Sequence, residues 1–331
     1  MKLFPMVHML LFIVATVVLS SCADKQTHKV SIRFSHGLDM QHPVHKSVVY
    51  MNEVLNDVSS GEMSLVIYPS GQLGSEREVL ELLQIGSLGM TKVSASSLEA
   101  FVPQMEIFSL PYLFTDHEHF WQTLNSEIGQ TLLDEGVAYR IKGLGYFDAG
   151  SRSFYTTEDK VITPEHLEGL KIRVMNSESA VDMVNTMGAA ATPVSWGELY
   201  TALQQGIVEG AENNPPSFYY SKHYEVSQYY LLDEHTSIPD VVVIGTHMWN
   251  SLSKQQQYWL NQAMEQASIY QKGLWAESTA MSLQKVKEAG VEVITADKSH
   301  FQKSVAPIYE QLKGTALEPL VASIKALREQ Q

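Results

Sequence analysis

Apolar and polar positions alternate from Val30 to Ser35, as in a strand with one buried face. A polar loop, His36 to Pro43, comes next, and Val44 to Val58 has helical spacing. Met63 to Tyr68 predicts a second strand, and Pro69 to Gly74 (PSGQLG) a turn. Ser75 and Glu78 stand at capping-box spacing and open a helix through Leu82 and Leu83 toward Gly86. This order of strand, helix, strand, helix predicts an α/β domain with a mostly parallel sheet.

Arg140 to Phe147 reads as a further strand and leads into DAGSRSFYT (Asp148 to Thr156). Thr163-Pro164-Glu165 is a helix start, with an N-cap, a proline at the first helical position and then an acid; Gly169 ends that short helix. Lys171 to Met175 predicts a strand, Glu178 to Met187 a helix, and Val241 to Thr246 a buried strand. A second α/β set therefore starts near Gly150, and the chain returns to the first near Pro239. The expected division is a leader at 1–21, a first lobe of 28–149 with about 239–280, and a second lobe of 150–238 with about 281–331. From Ser253, with Gln256 at capping-box spacing, Trp259, Ala263, Ala267, Tyr270 and Leu274 keep helical spacing with no stop before Gly290 except Gly273. About 36 residues at ~1.5 Å each give a helix of ~54 Å, long enough to brace two lobes. Val291 to Ile294 predicts a late strand; the tail after Leu312 reads as helical, with Pro319 as a break.

One segment is denser in signals than the rest. In Ser195 to Tyr220, Ser195 and Glu198 have capping-box spacing, and Leu199, Leu203 and Ile207 make one apolar helix face. Gly206 and Gly210 punctuate the helix end and the next turn. Asn213 and Asn214 precede two prolines, which place amide side chains on a rigid corner.

Composition narrows the function classes. The chain has 331 residues, 44% hydrophobic and 18% charged, as a globular protein does. A net charge of −14 argues against nucleic acid as a partner, yet leaves room for an anionic ligand held by a local pair of arginines. Lys2 followed by the apolar run Met9 to Leu19 has the form of a signal peptide, too short to span a membrane as a helix. Leu19-Ser20-Ser21-Cys22 has lipobox form and makes Cys22 the candidate lipidated residue; ordinary cleavage after Ala23 is the alternative. Cys22 is the sole cysteine, so no intrachain disulfide forms.

Among residues able to carry chemistry, Arg173 stands out because it lies inside the apolar strand GLKIRVM. A buried guanidinium needs a carboxylate, from the protein or from a ligand, and its planar fork suits either. Arg152 follows the turn Ala149-Gly150-Ser151 and reads as a solvated loop arginine or a second anion contact. Trp196, taken by itself, suits core packing. His36, Ser94, His235 and Asp240 each read as loop-stabilising residues or hydroxyl contacts. His117-Glu118-His119 and the pair His42 and His45 have metal-like spacing without a supporting third ligand, so no metal or other cofactor is expected. There is no G-x-S-x-G elbow, P-loop or CxxC, and no evident acid/base pair, which argues against an enzyme.

KIRVM (Lys171 to Met175) together with Ser195 to Tyr220, RFSHGLD (Arg33 to Asp39) and YPSGQLGSERE (Tyr68 to Glu78) resembles the solute-binding proteins of tripartite ATP-independent periplasmic (TRAP) transporters, the DctP-type family. The resemblance implies two α/β lobes around a hinge, a long helix crossing both, and delivery of a small organic acid to a membrane permease. It implies that Arg173 clamps the ligand carboxylate, with Arg152 as second arginine, Asn213 as ligand asparagine and Trp196 facing the cleft. His36, Ser94, His235 and Asp240 match contact positions more loosely. NNPPSFY and DEHTSIPD look most like the branch that binds sugar acids, hexuronates in particular; a C4-dicarboxylate or another organic acid is the alternative ligand, and ligand sensing the alternative role.

Overall fold

The computed structural model describes residues 29–328; the predicted leader and Cys22 lie outside them. The first sheet holds β1 (Val30–Ser35), β2 (Met63–Tyr68), β3 (Met90–Ser94), β4 (Ile141–Phe147) and β10 (Asp240–Gly245), in the order β2-β1-β3-β10-β4. β1 pairs in parallel with β2 and β3, as the sequence predicts. The returning strand β10 instead runs antiparallel between β3 and β4, so the sheet is mixed. All six residues of β10, DVVVIG, are buried. An unbroken apolar run of this kind belongs at the centre of a sheet covered on both faces.

The second sheet holds β5 (Ser153–Thr156), β6 (Lys171–Val174), β7 (Ala190–Pro193), β8 (Gly210–Asn213), β9 (Tyr229–Leu232) and β11 (Glu292–Thr295), in the order β11-β9-β5-β8-β6-β7. Here β5 is the antiparallel member, against β8 and β9. Four of the short strands carry no alternation visible in the sequence: β3, β5, β8 and β9 are only four or five residues long and mostly buried on both faces. β7, at the sheet edge, is equally short but partly exposed.

Helices cover both sheets. In the first lobe, α1 (Pro43–Val58) is capped by the ring of His42, which accepts from Val44 N–H, and α2 (Glu76–Gln84) by the expected Ser75–Glu78 box. That lobe has a further helix, α3 (His117–Asn125), which the hydrophobic pattern does not predict. In the second lobe, α4 (Glu178–Thr186) starts at Ser177. The segment after Ser195 departs from expectation. Trp196–Glu198 is a 3-10 turn, and only Leu199–Gln204 (α5) is α-helical. The hydroxyl of Ser195 bonds the Glu198 carboxylate instead of capping a backbone N–H. Ile207 lies beyond Gly206 and is exposed, so it is not part of the buried helix face. The two prolines begin a helix rather than end one: Asn214 caps α6 (Pro215–Tyr220), accepting from Ser217 N–H at 2.9 Å. Proline lacks only the N–H that a first turn leaves unpaired anyway.

The long helix α7 (Lys254–Glu288) has 35 residues, or ~52 Å. It packs on α1 in the first lobe and on α6 in the second. Nothing crowds Gly273. The buried stripe runs through Leu260, Ala263, Ala267, Gln271, Trp275, Ser278 and Ser282, not through Tyr270, which is exposed. The stripe turns polar where the chain crosses between sheets: Gln271 accepts from Asp148 N–H at 2.7 Å and donates to Asp148 O at 2.8 Å. Two residues on, Gly150 takes a left-handed φ of 57°, and a Cβ there would stand 3.0 Å from the Trp275 indole nitrogen.

The tail is expected with the second lobe. Its last helix, α8 (Leu317–Arg328), packs on the first instead: Leu317, Val321 and Ile324 share a core with Phe120 and Leu124 of α3. His119 Nε2 meets Ile324 O at 2.8 Å and Gln122 donates to Leu327 O at 3.1 Å, which satisfies carbonyls at the end of α8. Pro319 lies in the first turn of that helix and breaks nothing.

Candidate ligand-binding site

The cleft between the sheets encloses a cavity of about 300 Å³. Its wall is built at strand ends. Ser94 closes β3 and pairs with Asp240, the first residue of β10; Arg173 and Asn213 lie near the ends of β6 and β8; Arg152 immediately precedes β5. Backbone groups and side chains converge at this edge of an α/β sheet, where ligands generally bind.

Arg173 is 2% exposed. The strand pattern places its guanidinium at the cavity, where Nε donates to Val194 O at 2.8 Å. Its Nη1 is buried with no partner, and no protein carboxylate pairs with it among the described residues. Its nearest described neighbours on one side are uncharged: the Trp196 ring lies 5.7 Å from the guanidinium carbon, and against that ring stands His223, bonded to the Tyr155 hydroxyl at 2.8 Å. Burial, then the charge of Arg173, holds the His223 ring at about 3 and therefore neutral. Burial also pulls the Arg173 pKa down, outweighing the more distant pull of Tyr155, Glu212 and Glu76, none of which forms a salt bridge with it. A buried cation without a salt-bridge partner is a site that an anion would stabilise.

Arg152 also lines the cavity, but its fork is occupied. Nε and Nη2 grip the Glu212 carboxylate, Nη2 at 2.8 Å, and Nη1 donates to Asn213 Oδ1 at 3.0 Å. Asn213 Oδ1 also accepts from Asn214 N–H, so the oxygen is fixed and the amide nitrogen is left without a protein partner among the described residues. Trp196, half-buried, lines the same cavity, as do Ser94 and Asp240. Asp240 accepts from Lys92 Nζ at 3.0 Å, and the backbone N–H of Ser94 donates to Glu76 Oε1 at 3.1 Å.

Two of the expected contact residues stand elsewhere. His235 is fully buried behind the wall, with Nδ1 2.8 Å from Asp233 Oδ2 and Nε2 3.5 Å from Glu212 Oε2, the latter an attraction of charges beyond good hydrogen-bond length. It supports Glu212 and is not among the residues that line the cavity. His36 is 1% exposed; its Nδ1 accepts from Leu38 N–H, which leaves Nε2 to donate to His45 Nδ1 at 3.0 Å. Burial, with Lys92 nearby, holds the His36 ring at about 3. Position in the chain marks both histidines as candidates, but it does not reveal the direction of a side chain at a strand end.

Four lining or supporting residues are not evident from the sequence: Glu76, Lys92, Glu212 and Trp275. Lys92 carries the same signal as Arg173, a cation inside a wholly buried strand. Glu212 is an acid in the buried strand β8. Trp275 has no such signal, since its position depends on where α7 crosses the cleft.

Two sheets around a cleft, a long helix packed on both lobes and a buried arginine at the cavity have the architecture of a solute-binding protein. Residues 34–315 match the family DctP, bacterial extracellular solute-binding protein, family 7, and the chain belongs to it. A TRAP periplasmic solute-binding protein of Xanthobacter autotrophicus Py2, solved with bound β-D-galacturonate, is 35% identical; the match covers 89% of this chain and 99% of that one, with a TM-score of 0.86. One from Pseudomonas putida F1 with bound D-glucuronate is also 35% identical, covering 90% and 97%, at a TM-score of 0.87. The C4-dicarboxylate-binding periplasmic protein DctP of Rhodobacter capsulatus is 28% identical over 305 residues, 90% of each chain.

Proposed function

We propose that this protein captures a hexuronate, such as glucuronate or galacturonate, by its carboxylate and delivers it to the membrane subunits of a TRAP permease. The observation that carries this reading is Arg173, a buried guanidinium at the cavity with an unpartnered Nη1 and, among the described residues, no salt bridge to an acid. A bidentate carboxylate supplies the missing charge and accepts two hydrogen bonds at once. Asn213 offers a free amide N–H₂ to a hydroxyl or ring oxygen, and Trp196 an aromatic face to the sugar ring. The cavity, about 300 Å³, is at the small end of ligand sites, which suits a monosaccharide acid. The uronate complexes of similar chains support the same ligand class. A single open cation speaks for one carboxylate and against a C4-dicarboxylate, although a relative that binds C4-dicarboxylates is also similar. Arg152, with its fork on Glu212, takes part by orienting Asn213. A thermal-shift screen tests this: glucuronate or galacturonate at 100 times its Kd should stabilise the protein by about 2.7 kcal/mol, and succinate or malate at the same concentration far less. Equal shifts with the dicarboxylates would refute the uronate assignment.

The working location follows from the family, whose members act outside the cytoplasm. No helix of the described residues is long and apolar enough to cross a membrane. We propose that Cys22 carries a lipid that tethers the protein at the cell envelope, motivated by Leu19-Ser20-Ser21-Cys22. Cys22→Ser should then move the protein from the membrane fraction to the soluble one, or block processing. A wild-type protein already soluble, with Asp24 as its first residue, would rule the anchor out.

A further inference from the structure

Across the cleft from Arg173, the first lobe presents a second charged group. Lys92 stands at the middle of β3, with its side chain only 4% exposed, and its Nζ lies 3.0 Å from Asp240 Oδ1 and 3.5 Å from Glu76 Oε1. All three residues line the cavity. Glu76 Oε1 also accepts the Ser94 N–H. Lysine and backbone thus engage one oxygen of each acid. The other oxygens, Asp240 Oδ2 and Glu76 Oε2, have no protein partner among the described residues.

One cation facing two carboxylates leaves this wall with a net charge of −1. Among the described residues no second cation forms a salt bridge with these acids: Arg152 belongs to Glu212 and reaches Asp240 only through space, and Arg77 at the rim pairs with Glu81. His36 and His42, close to Lys92, are neutral because burial and that lysine hold both rings far below their ordinary pKa. Such a wall has two properties. Its free carboxylate oxygens accept hydrogen bonds from hydroxyls, and its charge repels another carboxylate.

We propose that Glu76, Lys92 and Asp240 form a selectivity filter, which reads the hydroxyl end of a sugar acid and excludes acids carrying a second carboxylate there. This rests on the reading that Arg173 holds the first carboxylate. Lys92 is the counter-ion that lets two acids stand side by side and fixes the oxygens they present. The pocket therefore takes polyhydroxy monocarboxylates and rejects aldarates, the diacids made when the far end of a hexuronate is oxidised. Rejection by placed like charge is a common means of specificity, since the unwanted ligand loses more than the wanted one gains.

Calorimetry with glucuronate, galacturonate and the matching aldarates tests the filter on wild type, Asp240→Asn and Glu76→Gln. The amides keep size and hydrogen-bond capacity and remove one negative charge. Wild type should bind the uronate at least about 100-fold more tightly than its aldarate, and either amide variant should raise the aldarate-to-uronate affinity ratio by at least about tenfold, a 1.4 kcal/mol change. A merely structural role for these acids would weaken both ligands and leave that ratio alone. Wild type binding aldarate as tightly as uronate overturns the filter without touching the assignment of Arg173, as do folded variants with an unchanged ratio. Wild type binding neither ligand instead overturns the proposed function, and the filter with it. Should both variants fail to fold, the wild-type comparison of uronate with aldarate decides alone.

Discussion

Replacing Arg173 with alanine should cut hexuronate affinity roughly 30- to 5,000-fold, the ~2–5 kcal/mol expected when one partner of a buried, hydrogen-bonded charge pair is removed. The unliganded protein should not suffer. Among the described residues Arg173 has no salt-bridge partner, its Nη1 is buried and unpaired, and its one protein hydrogen bond runs from Nε to Val194 O. Arg173→Met therefore removes an uncompensated charge at the loss of a single bond, and should raise the unliganded stability by about 1 kcal/mol while abolishing measurable binding. Arg173→Lys keeps the charge but loses the planar fork and should also bind poorly. Calorimetry with glucuronate and galacturonate, beside chemical denaturation of the unliganded proteins, separates these effects. A folded Arg173→Ala with near wild-type affinity would show that the carboxylate sits elsewhere.

Glu212→Ala should have the opposite character: a loss of stability of about 3–5 kcal/mol, because Arg152 is then left in the interior without its acid, while His235 keeps only Asp233. Burial works against the charge of Glu212, but Arg152 and His235 outweigh it and bring the carboxyl from 4.5 down to about 2. Burial likewise opposes a charged His235, but Asp233 and Glu212 outweigh it and raise the ring from 6.5 to about 9. The signs of the two limbs differ. A lowered carboxyl contributes stability above its unfolded value that is lost as pH falls from 4.5 toward 2. A raised imidazole contributes below its unfolded value and loses it as pH rises from 6.5 through about 9. The network should stabilise the protein fully between about pH 4.5 and 6.5. Melting temperatures measured from pH 3 to 9 should show both limbs in wild type; in Glu212→Gln the acid limb should flatten, and the alkaline limb, which Asp233 still supports, should only shrink. A variant whose profile parallels wild type would mean that other groups set the pH response.

These two residues mark how far one chain can be read. Arg173 is legible because its strand is: an arginine between Ile172 and Val174 must be buried, and a buried guanidinium must find an anion. Lys92 and Glu212 stand in strands too short and too evenly buried to show alternation, so the strands themselves are hard to recognise and the interior position of the charges goes unread. The same cause hides β5 and β9. Local signals with a mechanism in the adjacent backbone read well. The Ser75–Glu78 and Ser253–Gln256 boxes form as their spacing predicts, and α7 ends at the residue before Ala289 and Gly290. The Ser195–Glu198 spacing fails because a hydroxyl and a carboxylate that reach each other need not reach the N–H groups they would cap.

By itself the sequence determined the α/β class, the parallel start of the first sheet, the long brace and the candidate cation, since these depend on period, caps and the cost of burying charge within a few residues. Only the tertiary structure decided the antiparallel insertion of β10, the packing of α8 on the first lobe, the pairing of Arg152 with Glu212, and the withdrawal of His36 and His235 from the wall. Each of these depends on partners far apart in the chain: Arg152 and Glu212 are 60 residues apart, and His119 and Ile324 are 205. Burial and charge make a partner necessary for each such group, but only packing between distant segments selects which partner it finds.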